Sequence, residues 1–263
     1  MALIVLPAAL WAAAVTSLWA RQESLLFRPE PLPSSHLFHL PETTEETVKV
    51  PGAVLHALHL RQPAGKPSKG LVFFLHGNAG NLATWFTSTD FWLSTGYDVF
   101  MLDYRGFGKS TGHIDGEAQL HDDMRRAWDQ VAPQYAGRKL VIYGRSLGTG
   151  LAARLATQVP ADLLVLVSPY ESMVSLTSQF YPWVPSWALR YPLRTDECLP
   201  KVKAPRIFIV HGEQDALIPV VHAEHLKALN PRARLLRLPQ AGHGDVHMFP
   251  NYTEALALQL GSL

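Results

Sequence analysis

The sequence predicts an α/β fold: a mostly parallel eight-stranded sheet flanked by helices, with a small cap. Three observations carry that prediction. Short apolar runs alternate with amphipathic stretches from residue 46 onward. Several of those runs (Leu-Val-Phe-Phe-Leu, Leu-Leu-Val-Leu-Val, Ile-Phe-Ile-Val) are continuously apolar, the pattern of strands buried on both faces of a parallel sheet. Alternation of strand and helix calls for right-handed crossovers that place helices on both faces. At 263 residues and 48% hydrophobic composition, the chain can bury a sizeable core within one domain.

In chain order, residues 1–20 carry no charged side chain and reach about 30 Å as a helix, so they read as a membrane anchor or a signal segment, or else as a helix packed on the domain. Residues 21–45 read as a linker, with 28–41 rich in Pro and Ser. The main domain spans 46–263. Strands are predicted at 46–50, 54–60, 70–76, 98–103, 139–144, 162–168, 206–211 and 235–238. Helices are predicted at 82–95, 116–133, 146–158, 220–229 and 248–260. Residues 170–200, between two strands and studded with aromatics and prolines, form the cap.

Composition removes several function classes. A formal net charge of +1 with scattered cations offers no field for nucleic acid. The single cysteine, Cys198, rules out an intramolecular disulfide and lies in no nucleophile motif. Gly108-Lys109-Ser110 matches the end of a phosphate-binding loop, but position 103, where that pattern needs Gly, is Asp. The loop 103–110 therefore reads as a turn stabilised by Asp103 and Arg105. The 12 histidines show no metal-ligand spacing; His222 and His225, at i and i+3, read as a solvated helix face. No cofactor and no metal are implied.

Gly144-Arg145-Ser146-Leu147-Gly148 follows a strand and opens a helix, the context of a nucleophile elbow. The turn is too tight for side chains on its flanks, hence the two glycines. A serine hydroxyl is a weak nucleophile until a base takes its proton, and the base needs an orienting acid. In this arrangement the order along the chain is Ser, acid, His. Asp215 stands just past the strand 206–211 and His243 just past 235–238, so the candidate catalytic set is Ser146, Asp215 and His243. Glu213 is the rival acid, His247 and His211 are rival bases, and Asp245 is a rival partner for His243. Two amides must face the oxyanion: the N–H of Leu147, and one from the loop His76-Gly77-Asn78-Ala79-Gly80, read as Asn78 with Ala79 the alternative. His76 reads as an anchor for that loop. In the cap, Tyr170, Phe180 and Trp183 are candidates to line an acyl pocket; the competing reading is packing of the cap on itself.

Together these motifs resemble the α/β-hydrolase superfamily. More narrowly, the chain resembles the membrane-associated α/β-hydrolase-domain proteins, a group that includes eukaryotic depalmitoylases and bacterial serine aminopeptidase-like hydrolases. The resemblance runs from Leu25 to the C-terminus and rests on LLFRPE, FLHGNAGN, DYRGFGKSTG, YGRSLGTG, HGEQDALIP and AGHGDV. It implies hydrolysis of acyl esters or thioesters through an acyl-enzyme, with Ser146 as nucleophile, His243 as base and then acid, Asp215 as orienter, and the Asn78 and Leu147 amides at the oxyanion. The implied partners are a small-molecule or lipid-like acyl substrate and a membrane, contacted through residues 1–20. The eukaryotic depalmitoylases carry an N-terminal cysteine cluster, which this chain lacks. Two other expectations stand beside this one: an aminopeptidase-type serine peptidase, and a non-catalytic, membrane-tethered binding protein. A carboxylate-nucleophile enzyme, such as a dehalogenase or epoxide hydrolase, would want Asp at position 146.

Overall fold

The computed structural model describes the backbone of residues 2–263 and the side chains from residue 7. The elements run α1 (Ala2–Ala20), α2 (Gln22–Leu26), β1 (Arg28–Pro29), β2 (Thr43–Val50), β3 (Ala53–Leu60), β4 (Gly70–Leu75), β5 (Ala79–Gly80), α3 (Leu82–Trp85), α4 (Thr89–Thr95), β6 (Asp98–Leu102) and α5 (Glu117–Val131). They continue β7 (Lys139–Arg145), α6 (Gly148–Gln158), β8 (Leu163–Val167), α7 (Met173–Phe180), α8 (Thr195–Cys198), β9 (Arg206–Gly212), α9 (Val221–Leu229), β10 (Ala233–Leu238) and α10 (Pro250–Gly261).

The eight predicted strands form one sheet in the order β10-β9-β8-β7-β4-β6-β3-β2. Strands β2 and β3, and β3 and β6, pair antiparallel; all other neighbours are parallel. Side chains alternate between faces, so each central strand feeds two cores. On β4, Leu71, Phe73 and Leu75 join Leu120, Met124 and Trp128 of α5 and Leu151 and Leu155 of α6. Val72 and Phe74 face the other way, toward Trp92 of α4 and Tyr252, Leu256 and Leu260 of α10. Helix α5 forms because its buried residues Leu120, Asp123, Met124, Ala127, Trp128 and Val131 recur at helical spacing on one face.

The predicted helix 82–95 divides in two. Asn81 and Thr84 form a capping box that starts α3. One turn later Trp85 Nε1 donates to the Ala79 carbonyl at 2.6 Å, which pins the helix end to the preceding loop. Ser88 then adopts φ 59° and the chain restarts as α4.

The N-terminal segment departs most from expectation. Among the described residues, no helix is long and apolar enough to cross a membrane. The expected transmembrane anchor over residues 1–20 is thereby corrected, and localisation at a membrane through that segment falls with it. Helix α1 instead lies against the cap. Val15 is buried, Trp11 Nε1 donates to the Trp183 carbonyl at 2.9 Å, and the Arg190 guanidinium sits 5.2 Å from the Trp19 ring. Part of the stretch expected to be a loop forms β1, which pairs parallel with β5 (Arg28 with Ala79, Pro29 with Gly80).

Asp123 and Arg105 form a bidentate pair, with Nε to Oδ2 at 2.6 Å and Nη2 to Oδ1 at 2.9 Å, 1% and 5% exposed. Arg105 Nη2 also donates to the Pro51 carbonyl. Arg105 thus anchors the 103–110 loop as expected, but through Asp123, a partner the sequence did not point to. Asp123→Ala leaves the guanidinium buried without its counter-ion and is expected to cost about 3–5 kcal/mol. Urea unfolding measures this, and an unchanged midpoint would mean that water or a neighbour takes over the carboxylate's part.

Candidate active site

The elbow sits where β7 ends and α6 begins. Ser146 takes φ 52°, a strained conformation that pushes its side chain off the sheet. A Cβ on Gly148 would come within 2.1 Å of the Leu75 carbonyl oxygen, and one on Gly144 within 2.5 Å of the Gly148 carbonyl oxygen. Only glycine fits either position, which is why the motif has this spacing. The Ser146 N–H donates to the Val167 carbonyl, and its carbonyl accepts from Thr149 N and Oγ1. Buried Tyr170 braces the turn from behind, its hydroxyl donating to the Leu147 carbonyl at 2.9 Å.

Three loops at the carboxyl ends of β7, β9 and β10 bring Ser146, Asp215 and His243 together. Ser146 Oγ lies 2.9 Å from His243 Nε2, and His243 Nδ1 lies 2.7 Å from Asp215 Oδ2. The other carboxylate oxygen accepts from the N–H groups of Leu217 (3.0 Å) and Ile218 (2.7 Å). Burial alone would raise the Asp215 pKa. Hydrogen bonds to His211, His243 and the Ile218 amide outweigh it and hold the carboxyl well below the usual carboxylate range. An ionised Asp215 accepts the Nδ1 proton, so Nε2 is left with its lone pair toward the serine.

The rivals are engaged elsewhere. Glu213 pairs with Arg237 at 2.8 Å. Asp245 accepts from the Gly242 N–H at 2.7 Å. His211 is fully buried and donates from Nε2 to the Ile218 carbonyl, supporting the loop that carries Asp215. His247 lies beside Arg145 at 3.3 Å; burial and then that cation lower its pKa.

The loop 76–80 crosses the front of Ser146. Among the described residues, neither the Asn78 nor the Leu147 N–H has an intramolecular acceptor, so both are free to donate. His76 is fully buried, stacked on Trp85, with Nδ1 2.8 Å from the Gly77 carbonyl oxygen. Its own carbonyl accepts from the Tyr104 hydroxyl at 2.7 Å. Ala79 is taken into β5.

A pocket of about 190 Å³ opens beside Ser146, lined by Leu26, Met173, Leu176, Phe180, Leu217 and Ile218 with Asn78, Leu147 and Tyr170. Tyr170 and Phe180, both expected to line a pocket, do so here beside Ser146. Trp183 stands outside this lining, with its carbonyl holding Trp11. On the other side of Ser146 a more polar cavity of about 410 Å³ is bordered by Trp85, Arg145, His243 and His247. The sequence did not single out Leu26, Met173 or Leu217 as lining residues, although Leu26 and Leu217 lay within the motifs LLFRPE and HGEQDALIP.

Two histidines on α9 correct the reading of that helix as a solvated face. His225 is exposed, but His222 is 2% exposed because it packs under the cap, where Glu171 engages His225 Nδ1 and accepts from Ser175 Oγ at 2.8 Å. Cys198 is buried, and that burial pushes its thiol pKa up, opposite to what a nucleophile needs.

Known proteins resemble this chain in sequence and in fold. The family described as serine aminopeptidase, S33 matches residues 66–195. An uncharacterized protein of Mycobacterium tuberculosis (strain CDC 1551 / Oshkosh) is 30% identical over 241 residues, covering 88% of this chain and 83% of that protein. Alpha/beta hydrolase domain-containing protein 17C of Xenopus tropicalis is 28% identical, covering 78% of this chain and 65% of that one. Among solved structures, an esterase of Pyrococcus furiosus superposes with a TM-score of 0.66 at 20% identity, over 90% of this chain and 96% of that one, a likeness of fold. With a relative this similar along most of both chains, and a central sheet of this order, the protein belongs to the α/β-hydrolase superfamily.

Proposed function

We propose that this protein is a serine hydrolase of carboxylic esters or thioesters. The observation that carries the reading is the continuous relay from Ser146 Oγ through His243 to an ionised, buried Asp215, beside two free amides and an apolar pocket. Ser146 Oγ bonds to the acyl carbon while His243 Nε2 takes its proton. The carbonyl oxygen becomes an oxyanion facing the Leu147 and Asn78 N–H groups, each donor of this kind being worth about 2.7–4 kcal/mol in the transition state. Collapse of the intermediate breaks the carbon–oxygen or carbon–sulfur bond, and His243 gives its proton to the leaving group. Water, activated by the same imidazole, then adds to the acyl-enzyme and releases the acid.

The lining of the pocket favours an acyl group over a peptide N-terminus, because no charged side chain stands in it. An aminopeptidase needs an acid for the substrate's amine. Within the cap, Glu171 is occupied by His225 and Ser175, Arg190 is paired with Glu23 at 2.7 Å, and Asp196 and Glu197 are both paired with Arg194 at 2.8 Å; the acid bordering the site is Glu30, which lines the polar cavity and stands outside the apolar pocket. The expectation of a non-catalytic binding protein leaves the Ser146–His243–Asp215 contacts without a purpose.

A fluorophosphonate probe tests the reading. Wild-type protein is expected to be labelled on Ser146 and to hydrolyse p-nitrophenyl esters and acyl thioesters. Folded wild-type protein that takes no label would overturn it.

A further inference from the structure

The oxyanion loop is held on one side by His76 and Trp85, which engage the Gly77 and Ala79 carbonyls. Gly77 and Gly80 supply no side chains, and on the other side the loop, Asn78 in particular, is gripped by residues 26–30, the later part of the segment 22–30. Arg28 N–H donates to the Asn78 carbonyl at 2.7 Å, and Asn78 Nδ2 donates to the Leu26 carbonyl at 2.9 Å. Glu30 N–H donates to the Gly80 carbonyl, and Asn81 Nδ2 donates to the Glu30 carbonyl at 2.8 Å. The same segment is fastened to the cap at its other end. Gln22 Nε2 donates to the Ala188 carbonyl at 2.6 Å while its Oε1 accepts from the Arg190 N–H at 2.8 Å. The Tyr191 hydroxyl donates to Glu23 at 2.6 Å, and Phe27 packs edge-on against the Tyr191 ring. Between these two attachments Leu26 forms a wall of the acyl pocket.

We infer that residues 22–30 are a strap that sets the active site, and that the Asn78 side chain is a positioning residue acting through it. The Asn78 carboxamide is committed to the Leu26 carbonyl, so residue 78 meets the oxyanion with its backbone N–H alone. Both polar ends of the residue that carries this amide are thereby tied to the strap. The strap thus aims the residue 78 amide at the oxyanion, and Gln22, with Glu23 and Phe27, seats the strap on the cap. This inference rests on the ester-hydrolase reading and adds a function for a segment whose backbone bonds the reading does not use.

Asn78→Ala, Gln22→Ala and the double variant are assayed with p-nitrophenyl acetate, each kcat divided by the concentration of sites titrated with the fluorophosphonate probe. That division removes unfolded protein from the count. Asn78→Ala is expected to lower kcat per site at least about 10-fold, with KM held within about twofold, because a misdirected donor is lost to the transition state rather than to substrate binding. Gln22→Ala, remote from the loop, is expected to lower kcat in the same direction by a smaller factor. The double variant is expected to match Asn78→Ala, since the two changes break one connection. An unchanged kcat per site in Asn78→Ala, a loss confined to KM, or independent effects that multiply in the double variant would each overturn the strap while leaving Ser146 as the nucleophile. A wild-type protein that takes no label removes the hydrolase reading instead.

Discussion

Ser146→Ala is expected to lower kcat for ester hydrolysis by about six orders of magnitude while leaving the unfolding transition in place. The side chain makes one polar contact, to His243. Everything that holds the elbow uses the Ser146 backbone or its neighbours: the Val167 carbonyl, Thr149, and Tyr170 behind Leu147. Alanine tolerates φ 52° no better and no worse than serine, so the strain of the turn is unchanged. What disappears is the atom that bonds to the acyl carbon. Steady-state hydrolysis of p-nitrophenyl esters beside a urea titration separates the two effects. Retention of even a few per cent of wild-type turnover would disqualify Ser146 as nucleophile.

Asp215→Asn is expected to cost about four orders of magnitude in kcat. The carboxylate fixes the imidazole by accepting its Nδ1 proton. An amide nitrogen facing Nδ1 would donate instead, turning the proton to Nε2, where it blocks the serine. The same change alters stability with pH. The folded state holds the Asp215 pKa below the ordinary carboxylate value of about 3.9, so ionisation stabilises the fold at neutral pH. That contribution is complete above the unfolded-state pKa and is lost as pH falls through the lower folded value. Wild type and Asp215→Asn should therefore differ most in urea midpoint near neutrality and converge in strong acid. A difference that widens on acidification would contradict the assignment of a depressed pKa.

Much of this was legible in the sequence for physical reasons that can be named. Central parallel strands have to be apolar on both faces, and the runs at 71–75, 163–167 and 207–210 are. Ser146, Asp215 and His243 could be paired from chain order because reactive residues gather at strand carboxyl ends. Other features have no such signature. An apolar helix looks the same in sequence whether it spans a bilayer or lies on a protein, and α1 is set apart by tertiary contacts at Trp11, Val15 and Trp19. His222 is buried because Glu171, far away in sequence, folds over it. The bonds that tie residues 26–30 to the oxyanion loop run largely through backbone amides and carbonyls, which every residue type has. Even the split between α3 and α4 turns on one indole hydrogen bond.

The attachment of Gln22 to Arg190 joins residues 168 apart in sequence, so the strap can reach its cap site only after that site has been synthesised. The strap leaves the ribosome early, but its docking site on the cap emerges only after most of the sheet has been made. Closing so long a loop comes at an entropic cost and is repaid late. Sheet and helices can therefore assemble while the oxyanion loop still lacks its outer support. If the proposed hydrolase reading holds, reactivity of Ser146 toward a fluorophosphonate in a refolding chain is expected to appear no earlier than far-UV helicity.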